Sequence, residues 1–380
     1  MIAHPDIKDC VIVGGGPAGL TAALYLARFL RSVTVFDAQD GRARLIPKTH
    51  NLAPFPDGIS GRDLLDRMRT HAELYGATVE PGTVRSVEKL GDRFDVTTDI
   101  RTVTARTVIF ATGVFNHRPP LSAEDHTQGL ARGLIRYCPV CDAHEVRDRR
   151  IAVLGNGEHG AREARFLSHY SPYVTLLPSD GSVGVPPRGI AALDAAMKSM
   201  SLSGSEVIVS LQTGAFHRFD TLYVALGTTA RVEVKVDPAV DLSSNGHIVV
   251  DERYRTNIDG AYGIGDVTEG LDQIAVAMGQ GAIAATAIHN SLHRTTRGTQ
   301  AQRHDPKPAG VSSLPTSPPV REVLMSATPA FRLSPVSPAE HSAVVDAIHR
   351  ALTAREESGK AGIAASVLCD GRMIATGENE

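Results

Sequence analysis

Cysteine is scarce: four residues in 380, namely Cys10, Cys138, Cys141 and Cys369. A secreted chain stapled by disulfides carries far more for its length, so a disulfide scaffold is excluded. No apolar run approaches the roughly 20 residues that a bilayer demands. The first ten residues hold no apolar signal core, which points to a cytoplasmic protein with no membrane span. No sign of charge dominates either. The 39 basic and 42 acidic residues leave −3, too little to draw nucleic acid or an anionic membrane surface. What remains is ordinary globular composition, 42% hydrophobic and 21% charged, in a chain long enough for two or three cores. In a reducing compartment the close pair Cys138/Cys141 is catalytic or metal-binding rather than structural.

Two glycine-rich turns stand on either side of that pair. Asp9 to Val13 reads as a buried strand, Gly14-Gly15-Gly16-Pro17-Ala18-Gly19 as a turn, and Leu20 to Leu30 as an Ala- and Leu-rich helix; Ser32 to Phe36 is the next strand, ending in Asp37. Glycines 14, 16 and 19 satisfy G-x-G-x-x-G between strand and helix. The first permits the tight turn, the second lets backbone approach a pyrophosphate, and the third lets helix and strand pack closely. The helix N-terminus offers amide hydrogens to the phosphates, and Asp37 suits a ribose diol. Glycines 155, 157 and 160 repeat the turn between strand Arg150 to Leu154 and helix Ala161 to His169, with Tyr173 to Leu177 as the following strand. Two β-α-β units make this an α/β chain with two Rossmann-like dinucleotide-binding domains.

Further along, Thr78 to Val87, Arg93 to Thr98 and Thr102 to Thr104 alternate like antiparallel strands, and Gly61 to Tyr75 has helical periodicity. Buried strands close on Ala111-Thr112-Gly113 and on Gly263-Ile264-Gly265-Asp266, where Asp266 is placed to bond a ribityl or pyrophosphate group. Gln273 to Leu292 reads as a long helix. From Thr295 the chain turns rich in Pro, Ser, Thr and Arg, a linker to about residue 337. Ser337-Pro338-Ala339-Glu340 has the look of a helix start, and a hairpin follows around Asp370-Gly371.

The pair reads Cys138-Pro139-Val140-Cys141-Asp142. Two intervening residues let a small disulfide ring open and close. A structural zinc needs four ligands; no second C-x-x-C exists, and Cys10 and Cys369 lie in distant contexts. Asp142 serves as a proton donor only if burial raises its pKa, with His144 nearby.

Taken together, the two fingerprints, the Asp266 segment, C-x-x-C-D and the Gln273 and Gly279-Gln280-Gly281-Ala282 segment resemble the low-molecular-weight thioredoxin reductases over residues 7–293. The resemblance implies an FAD domain (1–116 and 236–294) split by an inserted NAD(P)-type domain (117–235). A linker (295–337) and a partial α/β fragment (338–380) would follow. It implies a redox-active Cys138–Cys141 disulfide, with Cys141 facing the flavin, Cys138 attacking the substrate and Asp142 moving the proton. FAD would be held by Gly14, Gly16, Pro17, Ala18, Gly19, Asp37, Ala111, Thr112, Gly113, Gly265 and Asp266, with Asn51, His50, Gln273 and Ile274 beside its ring. NADPH or NADH would lie on Gly155, Gly157 and Gly160. The expected partner is a thioredoxin-like protein or a small-molecule disulfide or dithiol, and the expected assembly a homodimer.

One departure matters. NADPH-using members carry a basic cluster after the strand that follows the second fingerprint; here the chain reads Pro178-Ser179-Asp180, with no Arg or Lys before Arg188. Use of NADH, weak use of NADPH through Arg188 or Arg162, and a vestigial site all fit that. The last would describe an oxygen-using dithiol oxidase, and the C-P-x-C form of the motif fits it. A redox sensor without turnover is the third alternative. The tail resembles the opening helix and hairpin of a cytidine deaminase-like domain, with Asn379 at its substrate-touching position, in what reads as a truncated fusion. The H-x-E and P-C-x-x-C that follow this hairpin in that family are absent from residues 338–380.

Overall fold

The computed structural model describes residues 7–179, 186–193, 195–301 (side chains to 293), 364–369 and 372–378. Asp180, the helix expected from Ser337, and Asn379 lie outside the described residues.

The chain opens as its periodicity requires: β1 (Lys8–Val13), α1 (Pro17–Arg28), β2 (Val33–Asp37). After a short 3-10 turn come α2 (Gly61–Leu74), β3 (Thr78–Pro81), β4 (Val84–Leu90), β5 (Arg93–Thr98) and β6 (Thr102–Phe110). Two readings of the sequence are corrected here. The run Thr78 to Val87 is two strands, broken at Gly82-Thr83, and the short run Thr102 to Thr104 continues unbroken to Phe110 as one strand. Central strands β6, β1, β2 and β3 are parallel, and β4-β5-β6 forms an antiparallel meander. Alternation along β1 sends Cys10 and Ile12 into a core with Leu20, Leu26 and Ile288, and Val11 and Val13 into a second with Phe94, Val96 and Phe110. Both faces of β1 are buried, hence its unbroken apolar run.

Then β7 (Val114–Asn116) leads to α3 (Ala123–Ala131), β8 (Ile135–Arg136) and α4 (Pro139–Asp142). The second β-α-β unit is β9 (Ile151–Gly155), α5 (Gly157–Leu167) and β10 (Val174–Leu177). Next are β11 (Ala191–Ala192), a three-stranded antiparallel sheet of β12 (Met197–Ser203), β13 (Glu206–Leu211) and β14 (Phe216–Phe219), and then β15 (Thr221–Ala225). Strands β11-β10-β9-β15-β8 form an all-parallel sheet.

Strand β16 (Thr228–Ala230) pairs antiparallel with β7, so the two crossings between the sheets form one ribbon. The chain then rejoins the first sheet through β17 (Lys235–Asp237) beside β4 and β18 (Ala261–Gly263) beside β6. Helix α6 (Ile274–Ala301) lies so close to α1 that a Cβ on Gly281 would meet the Ala18 carbonyl oxygen at 2.5 Å. It runs past Thr295; the composition change there marks the loss of the apolar stripe, not the end of the helix. In the separate unit beyond His304, β19 (Ala364–Cys369) and β20 (Arg372–Glu378) form the expected antiparallel hairpin.

Candidate functional site

The first turn is shaped by what glycine alone allows. Gly14 sits at φ +115°, with the Ala111 carbonyl where a side chain would be; Gly19 packs on the carbonyl of Gly14. At Gly16, by contrast, a Cβ would meet nothing within 4 Å, so the start of α1 faces open space. That space is a cleft of about 450 Å³, lined by Gly14, Gly16, Pro17 and Ala18. Asp37, oriented by a bond from the Gln39 amide to its Oδ1 (2.9 Å), and Ala111-Thr112-Gly113 line it as well. The Thr112 hydroxyl donates to the Arg231 carbonyl (2.6 Å) and ties this edge to β16.

The opposite wall comes from the end of β18. The Gly265 amide donates to Oε1 of the buried Gln280 on α6 (2.5 Å), which fixes the turn carrying Asp266. Burial pushes the Asp266 carboxyl up to about 6, against the opposing pull of Arg42. Arg42 reaches Asp266 at 3.2 Å and Asp272 at 3.0 Å. Arg231 pairs with Asp40 at 2.6 Å and lies 3.7 Å over the Phe115 ring. Sequence patterns offered no handle on Arg42, Arg231 or Asp272, because none belongs to a fixed spacing; Gln280 stood in the Gly279-Gln280-Gly281-Ala282 segment with no role of its own.

At the far end of the same cleft, Cys138 and Cys141 are joined as a disulfide across the single turn of α4, with Cα atoms 5.3 Å apart. Pro139 opens the turn, and the Cys141 amide bonds back to Cys138 Sγ (3.2 Å). Asp142 has both oxygens engaged: Tyr223 Oη on β15 donates to Oδ1 (2.7 Å) and Arg136 on β8 to Oδ2 (2.6 Å). Burial raises its pKa, the Arg136 charge and the Tyr223 hydroxyl lower it, and Glu145 adds a smaller upward push. Tyr223 is itself held far above its ordinary value, first by burial and then by the Asp142 charge, so it remains a donor. Tyr137 also lines the cleft; its hydroxyl meets His126 Nε2 at 2.7 Å.

Of the residues expected beside the ring, Gln273 touches the disulfide and Asn51 holds Gln273. Gln273 Nε2 lies 3.3 Å from Cys138 Sγ and 3.2 Å from Cys141 Sγ. Asn51 Nδ2 donates to Gln273 Oε1 (2.9 Å). Ile274 lines the cleft too, whereas His50 and His144 are exposed and outside it. The second fingerprint is also outside it. Gly155 ends β9 and Gly157 and Gly160 open α5, with Gly160 packed on the Gly155 backbone, and none of them lines the cleft. Asn156 Oδ1 accepts from the Ser179 amide (2.7 Å), joining this turn to the end of β10. Arg162 and Arg188 are exposed.

The cleft fits an FAD. It has a side-chain-free helix start for a pyrophosphate, carboxylates at two strand ends for hydroxyl groups, and length enough to run from that turn to the disulfide. The pattern of the pyridine nucleotide-disulphide oxidoreductases matches residues 8–281. A thioredoxin reductase of Streptomyces clavuligerus is 33% identical over 301 residues, 74% of this chain and 92% of the relative. One from Aquifex aeolicus is 27% identical, covering 77% and 96% respectively. The crystal structure of thioredoxin reductase from Streptococcus pyogenes superposes with a TM-score of 0.69 at 28% identity, over 77% of this chain and all of that one. With a flavin cleft, two β-α-β units and a disulfide facing that cleft, this chain belongs to the pyridine nucleotide-disulphide oxidoreductase family and is a flavin-dependent disulfide oxidoreductase.

Proposed function

We propose that the protein moves electrons from a nicotinamide dinucleotide through FAD to Cys138–Cys141, and on to a thioredoxin-like protein or a small disulfide. The observation that carries this is that the disulfide and the first fingerprint line one cleft. Bound there, FAD supplies a two-electron relay between a nicotinamide and the cysteine pair. Gly14, Gly16, Pro17, Ala18 and Gly19 cradle its pyrophosphate, Asp37 and Asp266 take hydroxyl groups, Ala111-Thr112-Gly113 and Gly265 close the walls, and Asn51, Gln273 and Ile274 face its ring. Cys141 is the sulfur reduced within the cleft, Cys138 the one that attacks the partner's disulfide. Asp142 protonates the departing thiolate, a task that its raised pKa supports.

The nicotinamide dinucleotide belongs on Gly155, Gly157 and Gly160. Because that turn lies outside the cleft while the disulfide is inside it, the insert (117–235) turns against the FAD domain (1–116 and 236–294) about the β7–β16 ribbon. The two sheets support these boundaries: the first draws strands from residues 8–110, 235–237 and 261–263, the second from 135–225. A cytoplasmic homodimer, tested by sedimentation, completes the proposal. The hairpin Ala364–Glu378 supports the likeness of the tail to a deaminase opening, without that family's zinc motifs.

The test is stopped-flow mixing of the oxidised holoenzyme with NADPH, NADH or a small dithiol, followed by turnover with a thioredoxin. Flavin bleaching by a nucleotide, with thioredoxin reduced, is expected. Bleaching by dithiol alone, with peroxide released in air, would replace this reading with that of a dithiol oxidase. That reading draws on the absence of a cation at Pro178-Ser179.

A further inference from the structure

The polar chain beside the disulfide has a fixed direction. Disulfide sulfurs carry no hydrogen and can only accept. Gln273 therefore turns its nitrogen to them, 3.3 Å from Cys138 Sγ and 3.2 Å from Cys141 Sγ. Its oxygen is left to accept from Asn51 Nδ2 (2.9 Å), and Asn51 Oδ1 in turn accepts from the Thr49 hydroxyl (2.8 Å). Gln273 is anchored at the start of α6, where its carbonyl accepts from the Ala277 amide (2.9 Å). All three residues of the chain come from the side of the cleft that holds the first fingerprint, whereas the sulfurs come from the other sheet's segment.

We propose that Gln273 is a catalytic hydrogen-bond donor to the cysteine pair, oriented by Asn51, and that it makes the pair easier to reduce while docked in the cleft. The inference rests on the disulfide oxidoreductase reading of the site. Reduction breaks the Cys138–Cys141 bond, places two electrons from reduced FAD on the sulfurs and takes up one proton, leaving a thiol at Cys138 and a thiolate at Cys141. A neutral disulfide sulfur is a weak acceptor, whereas a thiolate accepts a charge-assisted bond. The same N–H thus stabilises the product of reduction more than the reactant. When the pair leaves the cleft to meet its substrate the donor stays behind, so the dithiol becomes a stronger reductant where it must give its electrons away.

The test equilibrates holoenzyme with glutathione or dithiothreitol redox buffers, alkylates the free thiols and weighs the Cys138/Cys141 peptide. Gln273→Leu is expected to lower the equilibrium constant for reduction on the order of tenfold, about 30 mV. Gln273→Glu, which keeps the volume but sets a carboxylate against the nascent thiolate, should lower it further. Asn51→Leu should shift it less, in the same direction. Wild-type potential in folded, flavin-loaded Gln273→Leu, or in Gln273→Glu if the leucine variant does not fold, overturns the proposal. No nicotinamide or thioredoxin enters the measurement. A pair that titrates as expected in a protein that no nucleotide reduces would therefore refute the nicotinamide-fed reading of the function and leave this proposal standing.

Discussion

Asp142, the proposed proton donor, is the group most sensitive to its surroundings. Its side chain is one quarter exposed, with Arg136 on one oxygen and Tyr223 on the other. The hydroxyl of Tyr223 stabilises the carboxylate, so Tyr223→Phe raises the pKa of Asp142 beyond what burial already does. If protonated Asp142 is the donor, the exchange rate falls as pH climbs through that pKa. The alkaline limb of the pH profile should then move to higher pH in Tyr223→Phe, and Asp142→Asn should abolish it. An unmoved limb would mean that Asp142 is not the donor. Asp266 offers an independent check. Its folded pKa of about 6 exceeds its ordinary 3.8, so the folded state holds the proton more tightly. Stability contributed by that proton is complete below pH 3.8 and lost as pH rises to about 6. Relative to wild type, flavin-free Asp266→Asn should gain steadily across that window, by about 3 kcal/mol at most, in urea unfolding at stepped pH. A constant difference would contradict the shift. Neither environment was legible in the sequence. Arg136 and Tyr223 lie 6 residues before and 81 after Asp142 and meet it only because β8 and β15 are neighbours.

Elements were more legible than their surroundings. Both β-α-β units stand where strand periodicity and G-x-G-x-x-G placed them, since a turn that only glycine can make leaves a mark in the sequence. The helix Ala123–Ala131 and the sheet of β12, β13 and β14 were not read from the sequence, although both left short marks: Ser122 caps the helix three residues before Asp125, and Gly204-Ser205 separates β12 from β13 by the two residues of a hairpin turn. Packing of α6 on α1 depends on a small residue at Gly281, which the sequence marks as part of the Gly279-Gln280-Gly281-Ala282 segment without showing what it packs on. Gly281→Val should cost about 1–3 kcal/mol by thermal unfolding and weaken FAD retention, because α1 carries the phosphate turn. The same change at Gly279, where a Cβ would meet nothing within 4 Å, should instead gain roughly a few tenths of a kcal/mol, because valine is the better helix former. Equal losses at the two positions would refute close helix packing as the cause.

At the scale of the molecule, one sheet and its cleft hold the flavin fingerprint, the other holds the second fingerprint and the cysteine pair, and a two-stranded ribbon joins them. The placement of C-x-x-C-D between the fingerprints was enough to relate the pair to the flavin. It could not show that the pair lies inside the cleft and the second fingerprint outside, since that depends on the angle at the ribbon. The account requires two stores of electrons in series, the flavin and Cys138–Cys141. The most direct measurement is therefore an anaerobic titration of the holoenzyme with NADPH, and in parallel NADH, followed by flavin absorbance and free thiols. Wild type should take up two equivalents of nucleotide per chain, one filling the flavin and one the disulfide, and Cys138→Ser only one. Equal uptake by the two proteins, or no uptake from either nucleotide, would contradict it.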